Sequence, residues 1–167
     1  MPPPAKPRSV GAVLLLIMAN TYTNLLYHII FSTKDRIPLI TNDLREELYK
    51  YMGGIIRGEK GILISIGGMP DHVHLAAKFK ANISVSDMLR KIKANSSKWA
   101  NEKLNNRSKF AWQNGFGAFT ISESQLDALL HYIERQEEHH RNKTFKEEFL
   151  EFLKKQNIEY EEKYLWI

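Results

Sequence analysis

Two β-rich runs, residues 62–66 and 72–79, are separated only by Gly67-Gly68-Met69-Pro70-Asp71, a stretch of turn-forming residues. So short a connection forces a tight reversal, and the two runs pair as an antiparallel hairpin around which the rest of the chain must be arranged. On either side lie patterns of helical period. Leu44, Leu48, Tyr51, Met52 and Ile55 recur over about 42–57, behind a capping Thr41 or Asn42. Met88, Leu89, Ile92 and Trp99 recur from the cap Ser84-Val85-Ser86-Asp87 to about residue 105.

Residues 22–31 are β-rich and partly alternating, and 110–121 carries aromatics, Gly115, Gly117 and a β-branched end, so each is predicted as a strand. The resulting order is strand, helix, strand, strand, helix, strand. That order specifies an α+β fold with a ferredoxin-like, RRM-like antiparallel sheet, the split βαβ plan, with helices on one face. Further helices follow at the C-terminal end. Ser122-Glu123-Ser124-Gln125 fits a capping box ahead of the stripe Leu126, Leu129, Leu130, Ile133, and Thr144-Phe145-Lys146-Glu147 opens a last helix to about residue 156. Such a sheet is expected to leave its second face open.

With 167 residues, 43% of them hydrophobic, the chain suits one domain, taken as residues 18–167. Residues 1–17 contain Lys6-Pro7-Arg8 ahead of an apolar run too short to span a bilayer, with no convincing cleavage site after it. They are read as a non-native or upstream extension, disordered or loosely helical, with Met18 as the natural start. The absence of cysteine excludes disulfides and thiolate metal sites and fits a reducing cytoplasm, and no membrane partner is expected. Lys+Arg exceed Asp+Glu by 24 to 19. The excess concentrates between Lys78 and Lys109, interleaved with Phe79 and Trp99 and followed by Trp112 and Phe116. That mixture suits either a nucleic-acid groove or a solvated helix face above core aromatics.

His72-Val73-His74 opens the second strand of the hairpin, and residues two apart on a strand share a face. Two such imidazoles can hold a divalent ion if a third ligand arrives from elsewhere. Asp71 is a rival oxygen donor, although its Pro-Asp turn favours local hydrogen bonding. In the helix after the fourth strand, Tyr132 and Gln136 are one turn apart on one shoulder of the apolar stripe, from which side chains can reach a neighbouring sheet. His139 shares that shoulder as an alternative ligand, whereas His140 is expected to face solvent.

These features resemble the single-tyrosine HUH transposases of small insertion sequences, including REP-associated members. The resemblance is carried by the segments Tyr27-His28-Ile29-Ile30-Phe31-Ser32-Thr33-Lys34, Met69-Pro70-Asp71-His72-Val73-His74-Leu75, Gly115-Phe116-Gly117-Ala118-Phe119, and Tyr132-Ile133-Glu134-Arg135-Gln136-Glu137-Glu138-His139-His140. It implies cleavage and rejoining of hairpin-bearing single-stranded DNA, with Tyr132 as nucleophile, a 5′-phosphotyrosine intermediate, and Mg²⁺ or Mn²⁺ held by His72, His74 and Gln136. It also implies a homodimer with composite active sites. Two other readings are a domesticated REP-associated nuclease using the same residues and a non-catalytic RRM-like nucleic-acid binder with an incidental histidine pair.

Overall fold

The computed structural model describes residues 22–104 and 109–166; the expectations for residues 1–17 and for Met18 lie outside these. Strand β1 (Leu25–Ser32) leads through a short 3₁₀ turn to helix α1 (Asn42–Gly58). Strands β2 (Ile62–Met69) and β3 (His72–Phe79) form the expected hairpin about Pro70 and Asp71, followed by α2 (Val85–Lys103) and β4 (Gly117–Thr120). The chain closes with α3 (Leu126–Glu134), α4 (Gln136–His139), α5 (Phe145–Lys155) and α6 (Glu162–Leu165). The strand order is β2-β3-β1-β4, with β3 antiparallel to both β2 and β1, and β1 antiparallel to β4. This is the split βαβ arrangement that the element order predicts.

Strand alternation divides the sheet into two chemically different faces. Ile29 and Phe31 of β1 and Val73, Leu75, Ala77 and Phe79 of β3 turn toward α1 and α2, where Leu48, Met52, Ile56, Met88, Leu89 and Ile92 bury them in the main core. The residues between them, His28 and Ile30 on β1 and His72, His74 and Ala76 on β3, face the other way. Direct pairing of Ile30 with His74 and of Ser32 with His72 fixes that register.

The second face is not open. Ala76 packs under Leu129 and Ile133 of α3, and Ile30 and Phe119 pack with Phe145 and Leu153 of α5. The reason lies in the C-terminal helices. Their apolar stripes need a surface to bury against, and Ile30, Ala76 and Phe119 provide one. His72 and His74 are therefore 1% and 0% exposed, deep between sheet and helices.

Two other expectations change. The fourth strand shrinks from 110–121 to Gly117–Thr120, because Phe110 and Trp112 turn into the main core. Trp112 keeps only an isolated bridge to Thr33, and its indole N–H donates to Ser96 Oγ at 2.8 Å. The basic segment does not line the histidine face, since α2 lies across the sheet from it, and several of its cations are engaged: Lys91 with Glu59, Lys103 with Glu47, Arg90 with Asp87. Trp99 stacks on Tyr51 instead of standing free for a base.

Candidate metal centre and tyrosine

β3 presents His72 and His74 side by side, their ring centroids 5.1 Å apart. Each ring is held by its Nδ1. His72 Nδ1 lies 2.7 Å from Asp71 Oδ1, so Asp71 orients the histidine as well as forming the turn. His74 Nδ1 lies 3.0 Å from Nε2 of His28, a β1 residue on the same face. The Nε2 atoms of both point inward and have no hydrogen-bond partner among the described residues.

The opposite wall comes from the C-terminal helices. α3 carries Tyr132, whose ring meets His74 edge-on at 5.6 Å and His139 at 5.1 Å. The phenol oxygen is buried and unpartnered among the described residues. α3 can approach the sheet this closely because Gly67 of β2 lies beneath it. A Cβ at that position would fall 2.7 Å from the Ile133 carbonyl oxygen. Gly68, at φ 149°, occupies the neighbouring position, in a conformation that favours glycine.

The expected single helix through Tyr132 and Gln136 breaks at Arg135, which has φ −99° and ψ 23°. Across the break the Gln136 side-chain N–H donates to the Tyr132 carbonyl at 3.3 Å, leaving its buried Oε1 without a partner among the described residues. Tyr132 and Gln136 thus remain neighbours, but through a side-chain bond spanning two short helices. The break also redirects the chain beyond it. His140, expected in solvent, turns inward, its ring 4.6 Å from that of His72 and its Nδ1 donating to the Lys143 carbonyl at 2.8 Å.

α5 contributes a residue that sequence reasoning missed. Glu148, 2% exposed, places Oε2 3.4 Å from His74 Nε2, 3.3 Å from His140 Nε2 and 3.8 Å from His72 Nε2. His139 Nε2 lies 3.6 Å from the other oxygen, Oε1, but that ring is about one-third exposed. One ligand atom each from His72, His74, His140 and Glu148 falls within 4.8 Å of every other, a group able to hold a metal ion. A signal for Glu148 is present in the sequence: with Thr144 as cap, Phe145, Glu148, Phe149 and Phe152 share one helical face, so the glutamate sits in an apolar stripe.

Burial governs the charges here. It pushes the Glu148 carboxyl up to about 8 and the His28 imidazole down to about 4. His74 is lowered well below the usual histidine range, by burial first and then by the neighbouring imidazoles, and His140 is lowered chiefly by burial. Neutral imidazoles are the form that ligates a metal.

A model of the family described as "Transposase IS200 like" matches residues 21–136, which include the histidine pair, Tyr132 and Gln136. The chain belongs to the IS200-like transposases. Two solved structures share the fold of this IS200-like transposase. A Deinococcus radiodurans R1 protein assigned as a transposase is 22% identical, with TM-score 0.56, covering 70% of this chain and 93% of that one. A REP-associated tyrosine transposase bound to a REP hairpin is 14% identical, with TM-score 0.54, covering 72% of each chain. Comparison with curated proteins gives no match. No helix among the described residues is long and apolar enough to cross a membrane. His140 and Glu148 lie beyond the matched segment.

Proposed function

We propose that this IS200-like transposase cleaves and rejoins hairpin-bearing single-stranded DNA through a 5′-phosphotyrosine on Tyr132, using Mg²⁺ or Mn²⁺ held at the histidine pair. The observation that carries the reading is the meeting of Tyr132 with His74 in one chain, at 5.6 Å between rings, beside inward-pointing Nε2 atoms of His72 and His74 that have no partner among the described residues. The similarity to a hairpin-bound REP-associated transposase supports the choice of substrate. Residues 18–167 act as one domain in this reading.

An ion at this centre would supply Lewis acidity to a non-bridging phosphate oxygen and offset charge on the leaving oxygen. His72 and His74 would hold it, with Gln136 offering Oε1 as a third donor when DNA is bound, and neutral ligands of this kind leave its positive charge undiminished. The Tyr132 phenol loses its proton and its Oη forms a bond to phosphorus as the bond to the 3′-oxygen breaks. The 3′-oxygen departs as a hydroxyl after taking up a proton. An aryl phosphate remains reactive toward a later 3′-hydroxyl, which suits a joining step. Gln136, bonded to the Tyr132 carbonyl, links placement of the nucleophile to the ion, and orientation of this kind is a large part of a phosphoryl-transfer rate.

DNA would approach along a groove beside His72 whose lining includes Arg36, Arg141 and Lys143, cations suited to phosphates. Tyr132 beside His74 of its own chain supports a site complete within one subunit. The homodimer with composite sites implied by the resemblance would then require exchange of α3 between subunits, which mixing of Tyr132→Phe and His72→Ala proteins tests directly, since restored activity requires exchange. The primary test is incubation with 5′- or 3′-labelled hairpin DNA in Mg²⁺, Mn²⁺ or EDTA. A denaturation-resistant protein–DNA adduct is expected with ion and wild-type protein and is absent with Tyr132→Phe. An adduct that persists in Tyr132→Phe overturns the assignment.

A further inference from the structure

The hydrogen bonds around the histidines settle which ring nitrogens carry protons. A carboxylate and a backbone carbonyl can only accept, so His72 Nδ1, facing Asp71, and His140 Nδ1, facing the Lys143 carbonyl, are both protonated. In the neutral rings, the form that ligates a metal, their Nε2 atoms are therefore lone pairs. His74 reaches the same state when its Nδ1 donates to His28 Nε2. Three imidazole lone pairs thus converge on the Glu148 carboxyl, and neither these nitrogens nor the Glu148 oxygens have a hydrogen-bond partner among the described residues.

Buried polar atoms without partners are costly, and a Glu148 carboxyl that holds its proton can donate to only one of the three nitrogens. A cation satisfies all of them together. Metal–ligand bonds of about 2.0–2.2 Å place tetrahedral neighbours about 3.3–3.6 Å apart. The separations from Glu148 Oε2 to the three nitrogens, 3.3, 3.4 and 3.8 Å, are already close to those edges. Holding each ligating imidazole by a hydrogen bond from its other nitrogen is also the arrangement that metal sites use to orient histidine.

The donor set decides the class of ion. Mg²⁺ favours oxygen donors and retained water, whereas three imidazoles with one carboxylate suit first-row transition ions. Gln136 brings only a neutral amide oxygen, a weaker donor than any of these four. We propose that in the DNA-free protein the ion is held by His72, His74, His140 and Glu148, that this set selects a first-row transition ion over Mg²⁺, and that Gln136 is not needed to hold it. The proposal rests on the histidine pair being the ion site.

The test is direct ion binding by chelator-stripped, DNA-free protein, using calorimetry with Co²⁺, Mn²⁺ and Mg²⁺ and the visible spectrum of Co²⁺. Wild-type protein is expected to bind one Co²⁺ with a ligand-field spectrum and to prefer it over Mg²⁺ by at least about 100-fold. Glu148→Gln and His140→Ala are each expected to weaken Co²⁺ binding about 10- to 100-fold and to alter the spectrum, while Gln136→Ala weakens it less than either. Unchanged binding in Glu148→Gln and His140→Ala, an equal loss in Gln136→Ala, or Mg²⁺ bound as tightly as Co²⁺ overturns the proposal. Should the variants fold poorly, imidazole ¹⁵N shifts of wild-type protein titrated with Zn²⁺ give the answer. Three Nε2 signals must move together, and movement of only two refutes the set. Failure of wild-type protein to bind any ion also overturns it, whereas adduct formation in EDTA, measured separately, judges the tyrosine chemistry.

Discussion

Gly67→Ala tests whether the position of α3 sets the reaction rate. The added Cβ would lie 2.7 Å from the Ile133 carbonyl oxygen and 2.8 Å from Ile133 Cγ2, whereas ordinary contact begins at 3.4 Å, so strand and helix must part by about 0.7 Å. Ile133 follows Tyr132 directly, so the phenol moves with it relative to His74. A displacement approaching 1 Å in a reacting group costs on the order of 100-fold in rate, and about 10- to 100-fold is expected here. Overpacking of this kind also costs about 1–3 kcal/mol. At about 2–4 °C per kcal/mol for a chain of this size, the melting temperature falls by several degrees. Adduct formation on labelled hairpin DNA, measured well below that melting temperature, separates the two effects. Gly58→Ala is the control, because a Cβ there meets nothing within 4 Å. An unchanged adduct rate in folded Gly67→Ala, or an equal loss in Gly58→Ala, would refute the reasoning.

His72→Ala should abolish cleavage while leaving most DNA affinity, since phosphate contacts by lysine and arginine supply the larger part of binding; electrophoretic mobility shift beside the cleavage assay shows whether the losses separate. Arg36→Ser and Arg141→Ser, in the groove beside His72, should each weaken binding and reduce the salt slope by about one. Arg90→Ser, on α2 across the sheet, should leave that slope unaltered. Acid should destabilise the ion-free protein through His28. Burial lowers its imidazole to about 4 when folded, so the unfolded chain binds the extra proton as pH falls from about 6.5 to about 4. Stability is lost across that window, by up to about 3 kcal/mol. Glu148, raised to about 8, acts in the opposite sense over this range and His74 in the same sense. The His28 contribution is therefore read as the difference between wild type and His28→Gln in urea unfolding in EDTA at pH 7, 6, 5 and 4.5, which should change across that window.

Local signals give the sheet and its first two helices, because each element carries its own evidence: a cap at Ser84, the turn-forming run 67–71 at the head of the hairpin, alternation along β3. The histidine pair, Tyr132 and Gln136 are legible for the same reason, each belonging to a short motif. The parts that are not legible depend on tertiary context. The covering of the second face follows from where α5 docks, which no single segment encodes. Continuing one straight helix through Arg135 places His140 in solvent, and the break there turns it inward. Glu148 runs against the strong tendency of glutamate to stay exposed, and only its phase with Phe145 and Phe152 argues otherwise. His28 belongs to a motif, but its role depends on β1 lying beside β3.

Strand β3 has its two occupations interleaved residue by residue. Val73, Leu75 and Ala77 lie fully buried against α1 and α2, while His72 and His74, equally buried, face the candidate centre. A saturation mutational scan along this strand should therefore show a beat of two. Substitutions at the odd positions reduce how much folded protein a cell accumulates, whereas at His72 and His74 polar replacements of similar size preserve abundance and extinguish activity. Burial alone would not tell the two classes apart; from His72 to Leu75 the parity of the residue number does, and beyond it Ala76, packed under α3, joins the odd positions.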